Sequence, residues 1–182
     1  MDADFPILAT VATEPSHAAS LQTDLQAIGL NVSRSTLFRR IDVLVASGEP
    51  RSKDERGPDG RARRMLSLSK KGAQRLKTVA AELLVQEPLA SPMFALALSS
   101  AESLQDAELT EVLRTRMAAA ARTLTQTERT LSKLTGQSGF WVRTSQERQV
   151  AHMKADLSWF QSVMRRKNTE EPSETQSSRL AG

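Results

Sequence analysis

The sequence contains no cysteine and no tyrosine, and only two of its 182 residues are histidines. A chain without cysteine cannot form a disulfide bond or hold zinc through thiolates. The histidines, His17 and His152, lack an evident catalytic partner, apart from Asp156 four residues after His152. Nucleophilic and acid–base catalysis rely on several of the residue types that are missing or scarce here. The composition therefore disfavours an enzyme, and we expect neither a metal nor a cofactor.

Long apolar runs are missing as well. No uninterrupted apolar stretch approaches the roughly 18 residues of a membrane span. The N-terminal Met-Asp-Ala-Asp lacks the basic start of a secretory signal. We therefore expect a cytoplasmic protein that does not enter a membrane. Residues 168–182 are rich in Thr, Glu, Pro, Ser and Gln, a composition typical of a disordered tail.

Positive charge is concentrated in one part of the chain. Residues 33–77 contain thirteen Lys or Arg and five Asp or Glu, a local net charge of +8. Because the whole chain carries +4, the remainder carries −4. Concentrated basic charge is typical of a surface that binds phosphate groups. The alternative is an arginine-rich face that is merely solvated.

A short helix is predicted within this basic segment. Ser33 is a good N-cap residue, and Gly48 is suited to end the helix in a left-handed conformation. Leu37, Ile41 and Leu44 recur at the spacing of one buried stripe. The opposite face carries guanidinium, hydroxyl and aromatic groups, which suit a helix that lies in the major groove of DNA. The candidate DNA-binding residues on this face are Arg34, Ser35, Phe38 and Arg39.

A β-hairpin is predicted directly after this helix. The Gly-Pro-Asp-Gly sequence at positions 57–60 is typical of a turn, and its basic flanks would face water or a polyanion. Two helices are predicted earlier in the chain, over residues 5–13 and 17–28. This order of helices and basic hairpin predicts a winged helix-turn-helix. The hairpin adds three candidate DNA-binding residues, Arg61, Arg63 and Arg64. Arg40 has two possible roles, in DNA binding or in an ion pair within the domain.

The second half of the sequence predicts further helices. A helix capped by Ser69 ends before Pro88, and a short apolar helix follows at 93–99. Two long helices over residues 106–134 and 140–166 carry apolar stripes, which we expect to pair with each other and with a second copy of the chain. The fold class is therefore mainly α with a small β-hairpin. The predicted domains are a winged-helix DNA-binding domain at 1–86, a helical dimerisation and effector domain at 87–167 and a disordered tail at 168–182.

A stretch of seventeen residues from Val32 to Gly48 resembles the recognition helix of PadR-type transcriptional regulators. It reads Val-Ser-Arg-Ser-Thr-Leu-Phe-Arg-Arg-Ile-Asp-Val-Leu-Val-Ala-Ser-Gly, and Phe38 stands where that family has a tyrosine. The Leu-Ser-Leu-Ser-Lys-Lys-Gly after the hairpin resembles the family's return strand and next helix, and the segment around Trp159 resembles its last helix. The resemblance covers residues 5–166. It implies a homodimeric repressor that releases or alters its hold on DNA when a small molecule binds.

Several functions fit these patterns. The primary hypothesis is a sequence-specific transcriptional regulator that binds an inverted repeat in double-stranded DNA as a homodimer. The helix and the wing are shared with MarR-type and other winged-helix regulators, which are alternatives. A further alternative is a ligand-binding or protein-interaction module that binds DNA only non-specifically. An effector pocket would use Phe94, Trp141 and Trp159, whose alternative role is to pack the core and the dimer interface.

Overall fold

The computed structural model describes residues 4–56, 60, 62–134 and 139–170. Its elements are α1 (Phe5–Thr13), β1 (Ser16–His17), α2 (Leu21–Ala27), α3 (Arg34–Ala46), β2 (Pro50–Arg56), β3 (Ala62–Leu68), α4 (Lys70–Gln86), α5 (Pro92–Ser99), a 3₁₀ turn (Ala101–Ser103), α6 (Asp106–Lys133) and α7 (Phe140–Glu170). They form two compact units, Met1–Leu109 and Thr110–Gly182. The described part is mainly helical with a small antiparallel sheet, which confirms the predicted fold class.

Helix α1 lies at the centre of the first unit because nearly all of its side chains are apolar. Phe5, Ile7, Leu8 and Val11 are each at most 2% exposed. The helix contacts α2, α4, α5 and β3. Full burial of an aliphatic or aromatic side chain contributes about 1.5–3 kcal/mol. The packing of α1 therefore holds the other elements of this unit together.

The hairpin strands β2 and β3 pair antiparallel, from Pro50 opposite Leu68 to Arg56 opposite Ala62. Strand β1 pairs with the other edge of β3, so that β3 is the central strand of a three-stranded sheet. The sequence predicts only the hairpin. Its prediction of a helix over residues 17–28 is wrong in the first turn, because His17 lies in β1 opposite Met65.

The starts of α3 and α4 and the end of α3 follow the capping residues that the sequence indicates. Ser33 and Ser69 accept hydrogen bonds through Oγ from the backbone N–H groups of Thr36 and Gly72. Gly48 follows α3 with a φ of +77°, a conformation that glycine adopts without strain. The predicted caps of α3 and α4 are thus confirmed.

The short apolar helix predicted after Pro88 is α5. Its Met93, Phe94 and Ala97 are buried, and it packs against α1 and α4. The first compact unit accordingly extends to Leu109, beyond the domain end expected at residue 86.

Helices α6 and α7 form the second unit. Lys154 of α7 and Glu128 of α6 form an ion pair at 2.8 Å. Leu113 of α6 and Val150 and Phe160 of α7 are buried. Other apolar side chains of α6 are only half-buried in the single chain. They include Met117, Leu124 and Leu131.

The described helices include none that is both long and apolar enough to cross a membrane. Helix α7 continues to Glu170, so the first residues of the predicted tail are helical. Residues 171–182 lie outside the described residues, and the prediction of disorder for them stays a prediction.

Gly72 allows the first turn of α4 to approach the segment after α3. A Cβ atom at this position would overlap the backbone carbonyl of Glu49, which cannot swing aside as a side chain can. We expect Gly72→Ala to lower the free energy of unfolding by about 1–3 kcal/mol, the usual cost of overpacking. Urea denaturation followed by circular dichroism measures this change.

Gly139→Ala is the matched control for this substitution. A Cβ atom at Gly139 would meet no atom of the described residues within 4 Å, so the free energy of unfolding should change by less than about 0.5 kcal/mol. Equal stability of the two variants would contradict the close approach of α4 to Glu49.

Candidate nucleic-acid interface

An open groove of about 690 Å³ lies between α3 and strand β3. Arg34 and Phe38 of α3 line one side, and Arg63 and Arg64 of β3 line the other, together with residues 17–20. We call this surface the basic groove. Helix α3 and the hairpin thus bring four of the seven predicted DNA-binding residues around one concave surface.

Arg34 is the first residue of α3 and lies over the ring of Phe38, one turn further along. Its Cζ atom is 5.5 Å from the ring centroid, a distance typical of a cation–π contact. The arginine is exposed and the phenylalanine is half-buried. Phe38 has no hydroxyl group to offer to a phosphate, and its role in this geometry is to support the guanidinium of Arg34.

Ser35 and Arg39 are also exposed, on the adjoining face of α3. Their spacing of four residues places them on the same side of the helix. The Ser35 hydroxyl lies 3.3 Å from that of the capping residue Ser33. The described lining of the basic groove includes neither residue. Arg61, the remaining predicted contact, lies outside the described residues.

Arg64 connects the hairpin to α3. Its Nη1 donates a hydrogen bond to Asp42 Oδ1 in α3 at 2.5 Å, and its Nε donates to Ser52 Oγ in β2 at 2.9 Å. These contacts join the hairpin to α3, and the carboxylate offsets part of the charge of this guanidinium.

The register of the hairpin places an acidic residue opposite each arginine of β3. Glu55 is the cross-strand neighbour of Arg63, and Asp54 is that of Arg64. Lys53 Nζ also donates a hydrogen bond to Glu55 Oε1 at 3.4 Å. Opposite charges directly across an antiparallel pair attract one another. The wing therefore presents less positive charge than its arginine content indicates.

Arg40 forms an ion pair within the domain. Its Nε lies 2.9 Å from Asp4 Oδ1, and Arg75 Nη2 lies 3.1 Å from Asp4 Oδ2. Arg75 Nη1 also donates a hydrogen bond to Glu49 Oε2 at 2.6 Å. The two carboxylate side chains are only 10% and 9% exposed. These four residues, the Asp4 network, connect the residue before α1 to α3, α4 and the residue before β2.

Residues 17–20 line the basic groove although the sequence did not indicate them. Ser16 and Ser20 are both acceptable helix caps, and the apolar positions of α2 fit a helix that begins after either. The pairing of β1 with β3 decides between them. The Ala18 backbone N–H donates a hydrogen bond to the Arg64 carbonyl oxygen at 2.9 Å, which holds this segment beside the wing.

The three residues predicted for an effector pocket belong to two different compact units. Phe94 is buried within the first unit. Trp141 is 77% exposed near the start of α7, and Trp159 is half-buried further along the same helix. Eighteen residues of helix separate the two tryptophans, which is about 27 Å at 1.5 Å per residue. One chain therefore does not bring both tryptophans to a single small cavity.

The described residues include no group of three His, Asp or Glu side chains that could hold a metal ion.

The Asp4 network predicts that a substitution at Asp4, which does not line the basic groove, lowers the stability of the fold. We expect Asp4→Ala to lower the free energy of unfolding by about 1–3 kcal/mol, because it leaves two partly buried arginines without their shared carboxylate. Glu147→Ala is the control, since it removes the Arg143–Glu147 pair, whose side chains are 52% and 51% exposed. This control should change stability by less than about 0.5 kcal/mol. Similar urea midpoints for both variants would mean that the network does not hold α3.

No family model and no curated protein matches this chain. Among solved structures, a PadR-like transcription factor from Bacteroides fragilis is 22% identical, with 43% of this chain and 77% of that chain covered and a TM-score of 0.41. PadR of Bacillus subtilis in complex with operator DNA is 15% identical, with 88% and 95% covered and a TM-score of 0.41. The same protein in complex with p-coumaric acid is 14% identical, with 88% and 92% covered and a TM-score of 0.35. These similar structures are PadR-type regulators, the family that the sequence resembles.

Proposed function

We propose that this chain is a DNA-binding transcriptional regulator whose recognition surface is the basic groove. The observation that supports this most directly is the placement of Arg34, Phe38 and Arg63, from two separate elements, around one open groove. Arg39 is exposed on the same helix as Arg34. A concave cationic surface built from a helix and a hairpin suits duplex DNA, whose charge lies along its two phosphate backbones.

In this proposal α3 lies in the major groove. Arg34 reaches a base edge, since an arginine that donates two hydrogen bonds to guanine is the commonest specific contact. Ser35 and Arg39 meet base edges or the flanking phosphates. Arg63 and Arg61 follow a phosphate backbone or enter the minor groove. Arg64, held by Asp42, sets the position of the wing relative to α3.

We also propose that the regulator is a homodimer formed through α6 and α7. Met117, Leu124 and Leu131 of α6 keep part of their apolar surface exposed in one chain, and a second copy would cover it. A dimer with two-fold symmetry binds an inverted repeat whose half-sites lie one or two helical turns apart. A cytoplasmic repressor is the role that the resemblance to PadR-type regulators implies.

Two arginine variants test the roles assigned to helix and wing. We expect Arg34→Ala to reduce discrimination between operator and unrelated DNA by about 1–3 kcal/mol, because it removes a base contact. We expect Arg63→Ala to weaken both DNAs equally and to lower the slope of log affinity against log salt by about 1, because it removes a phosphate contact. Fluorescence anisotropy over a range of salt concentrations measures both, with an operator identified by genome-wide capture of bound DNA.

Arg129→Ala is the matched control, because Arg129 is exposed on α6 in the second unit. It removes the same charge outside the basic groove and should leave both DNA affinities unchanged. If Arg34→Ala and Arg63→Ala behave like Arg129→Ala, the basic groove is not the DNA-binding surface. If the unaltered chain binds operator and unrelated DNA equally, the non-specific module is the better description.

The dimer proposal predicts opposite outcomes at two neighbouring positions of α6. Leu124→Lys places a charge on the half-buried apolar stripe and should shift the chain from dimer to monomer. Thr125→Lys places the same charge on an exposed position and should leave the dimer intact. Analytical ultracentrifugation distinguishes the two states, and a monomeric unaltered chain would contradict the proposal.

We also propose that a small apolar or aromatic effector binds this regulator and releases or alters its hold on DNA. Trp141 and Trp159 of α7 make intrinsic fluorescence a direct readout for such a molecule. The titration should include p-coumaric acid, which PadR of Bacillus subtilis binds. Unchanged fluorescence and unchanged DNA affinity across a panel of aromatic compounds would remove this part of the proposal.

A further inference from the structure

A smaller cavity lies inside the first unit, on the inner side of α3. Its volume is about 190 Å³. Ile7 of α1, Leu25 of α2, Leu37 of α3 and Met93 of α5 form its apolar wall, and each of them is at most 2% exposed. We call this space the α3 cavity.

An apolar space of this size is uncommon, because protein interiors are packed nearly as densely as organic crystals. An engineered apolar cavity of about 150 Å³ stays free of water and takes up benzene. The α3 cavity is somewhat larger. Its size therefore suits a molecule with one ring and a short substituent.

The polar groups around the α3 cavity carry no unpaired charge among the residues described, because its one charged residue is in an ion pair. Arg40 lines it, but its guanidinium is paired with the Asp4 carboxylate at 2.9 Å. Asn31 and Thr36 also line it and are exposed, so they offer uncharged donors and acceptors at its opening. A carboxylate ligand would compete with Asp4 for Arg40, whereas a neutral ligand with a hydroxyl group would leave the ion pair intact.

Helix α3 carries Thr36 and Arg40 of the cavity on the side away from the basic groove, whereas Leu37 lies about 60° around the helix from Arg34. At 100° per residue, Thr36 lies about 160° around the helix from Arg34, and Arg40 lies about 160° from Phe38. A molecule in the cavity therefore contacts the same helix that carries the proposed DNA contacts, but from its inner side.

We propose that the α3 cavity binds a small neutral one-ring molecule with a single hydroxyl group, and that its occupancy strengthens DNA binding. An arrangement in which the cavity is collapsed cannot accept the occupant, so occupancy favours the arrangement in which the cavity and the basic groove are both present. The effect on DNA rests on the proposed function, whereas the binding of the molecule does not. None of the three aromatic residues predicted for an effector pocket lines the cavity.

Benzyl alcohol added to the full chain tests the binding. Methyl spectra recorded by nuclear magnetic resonance should show shifts concentrated at Ile7, Leu25, Leu37 and Met93. Benzoate, which has the same ring and a negative charge, should bind at least about tenfold more weakly because its carboxylate must be desolvated beside the neutralised Arg40. Equal affinity for benzoate, or shifts scattered over both units, would overturn the proposal.

Substitutions that fill the cavity provide the second test. Val32 and Leu30 line the cavity and are half-buried, so that Val32→Phe and Leu30→Phe should each weaken benzyl alcohol binding at least about tenfold. Two positions are used because a single variant can disturb the fold. The methyl spectrum of each variant without benzyl alcohol shows whether it is folded. Ile28→Phe is the matched control, since Ile28 is 39% exposed and lies outside the cavity lining. Unchanged binding in both folded filling variants would place the molecule elsewhere.

The effect on DNA is measured separately by anisotropy with the operator fragment. Saturating benzyl alcohol should raise the affinity of the unaltered chain at least about fivefold, the lower end of common allosteric couplings, and should have no effect on Val32→Phe. An unchanged or lowered affinity, with binding in the cavity established, overturns the coupling. If the chain binds no DNA even without benzyl alcohol, the proposed function and the coupling both fail, while the methyl spectra still decide whether the cavity binds the molecule.

Discussion

The short segment between α3 and β2 is the constraint on which the basic groove depends. Its backbone is held by the start of α4. Ser69 donates through Oγ to the Gly48 carbonyl oxygen at 2.7 Å, and Lys71 Nζ donates to the Ser47 carbonyl oxygen at 2.7 Å. The Ser69 backbone N–H donates to the Glu49 carbonyl oxygen at 3.0 Å. Three consecutive carbonyl groups thus accept hydrogen bonds from the first turn of α4, and this fixes the direction in which the hairpin leaves α3.

The Asp4 network extends this constraint to the rest of the unit. Glu49 belongs to the held segment and also accepts a hydrogen bond from Arg75, whose other nitrogen reaches Asp4. Asp4 in turn pairs with Arg40 of α3. Because nearly buried carboxylates need close partners, the helix and the wing cannot shift independently of α1 and α4. The basic groove is therefore a consequence of how the unit is held together, and not only of its arginine content.

Local structure of this chain follows from local sequence signals. The caps Ser33 and Ser69 and the terminating Gly48 were predictable because each satisfies or ends a helix within a few residues of itself. The short strand at His17 was not predictable, because a two-residue strand exists only through pairing with β3, about fifty residues later. Pattern reading therefore recovers the helices and the hairpin but misses the segment that completes the groove.

The charge of the basic groove also depends on long-range contacts that local sequence patterns do not reveal. Thirteen basic residues between positions 33 and 77 indicate a strongly cationic surface, yet their availability depends on contacts that no local pattern encodes. Arg40 and Arg75 neutralise Asp4 and Glu49, and Arg64 is held by Asp42 across twenty-two residues of sequence. The electrostatic part of DNA affinity scales with the phosphates that are neutralised, at roughly 0.9 per contact in the salt slope. Arg40, Arg64 and Arg75 already serve the fold. Under the proposed function, the salt slope should therefore be smaller than the number of basic residues alone suggests.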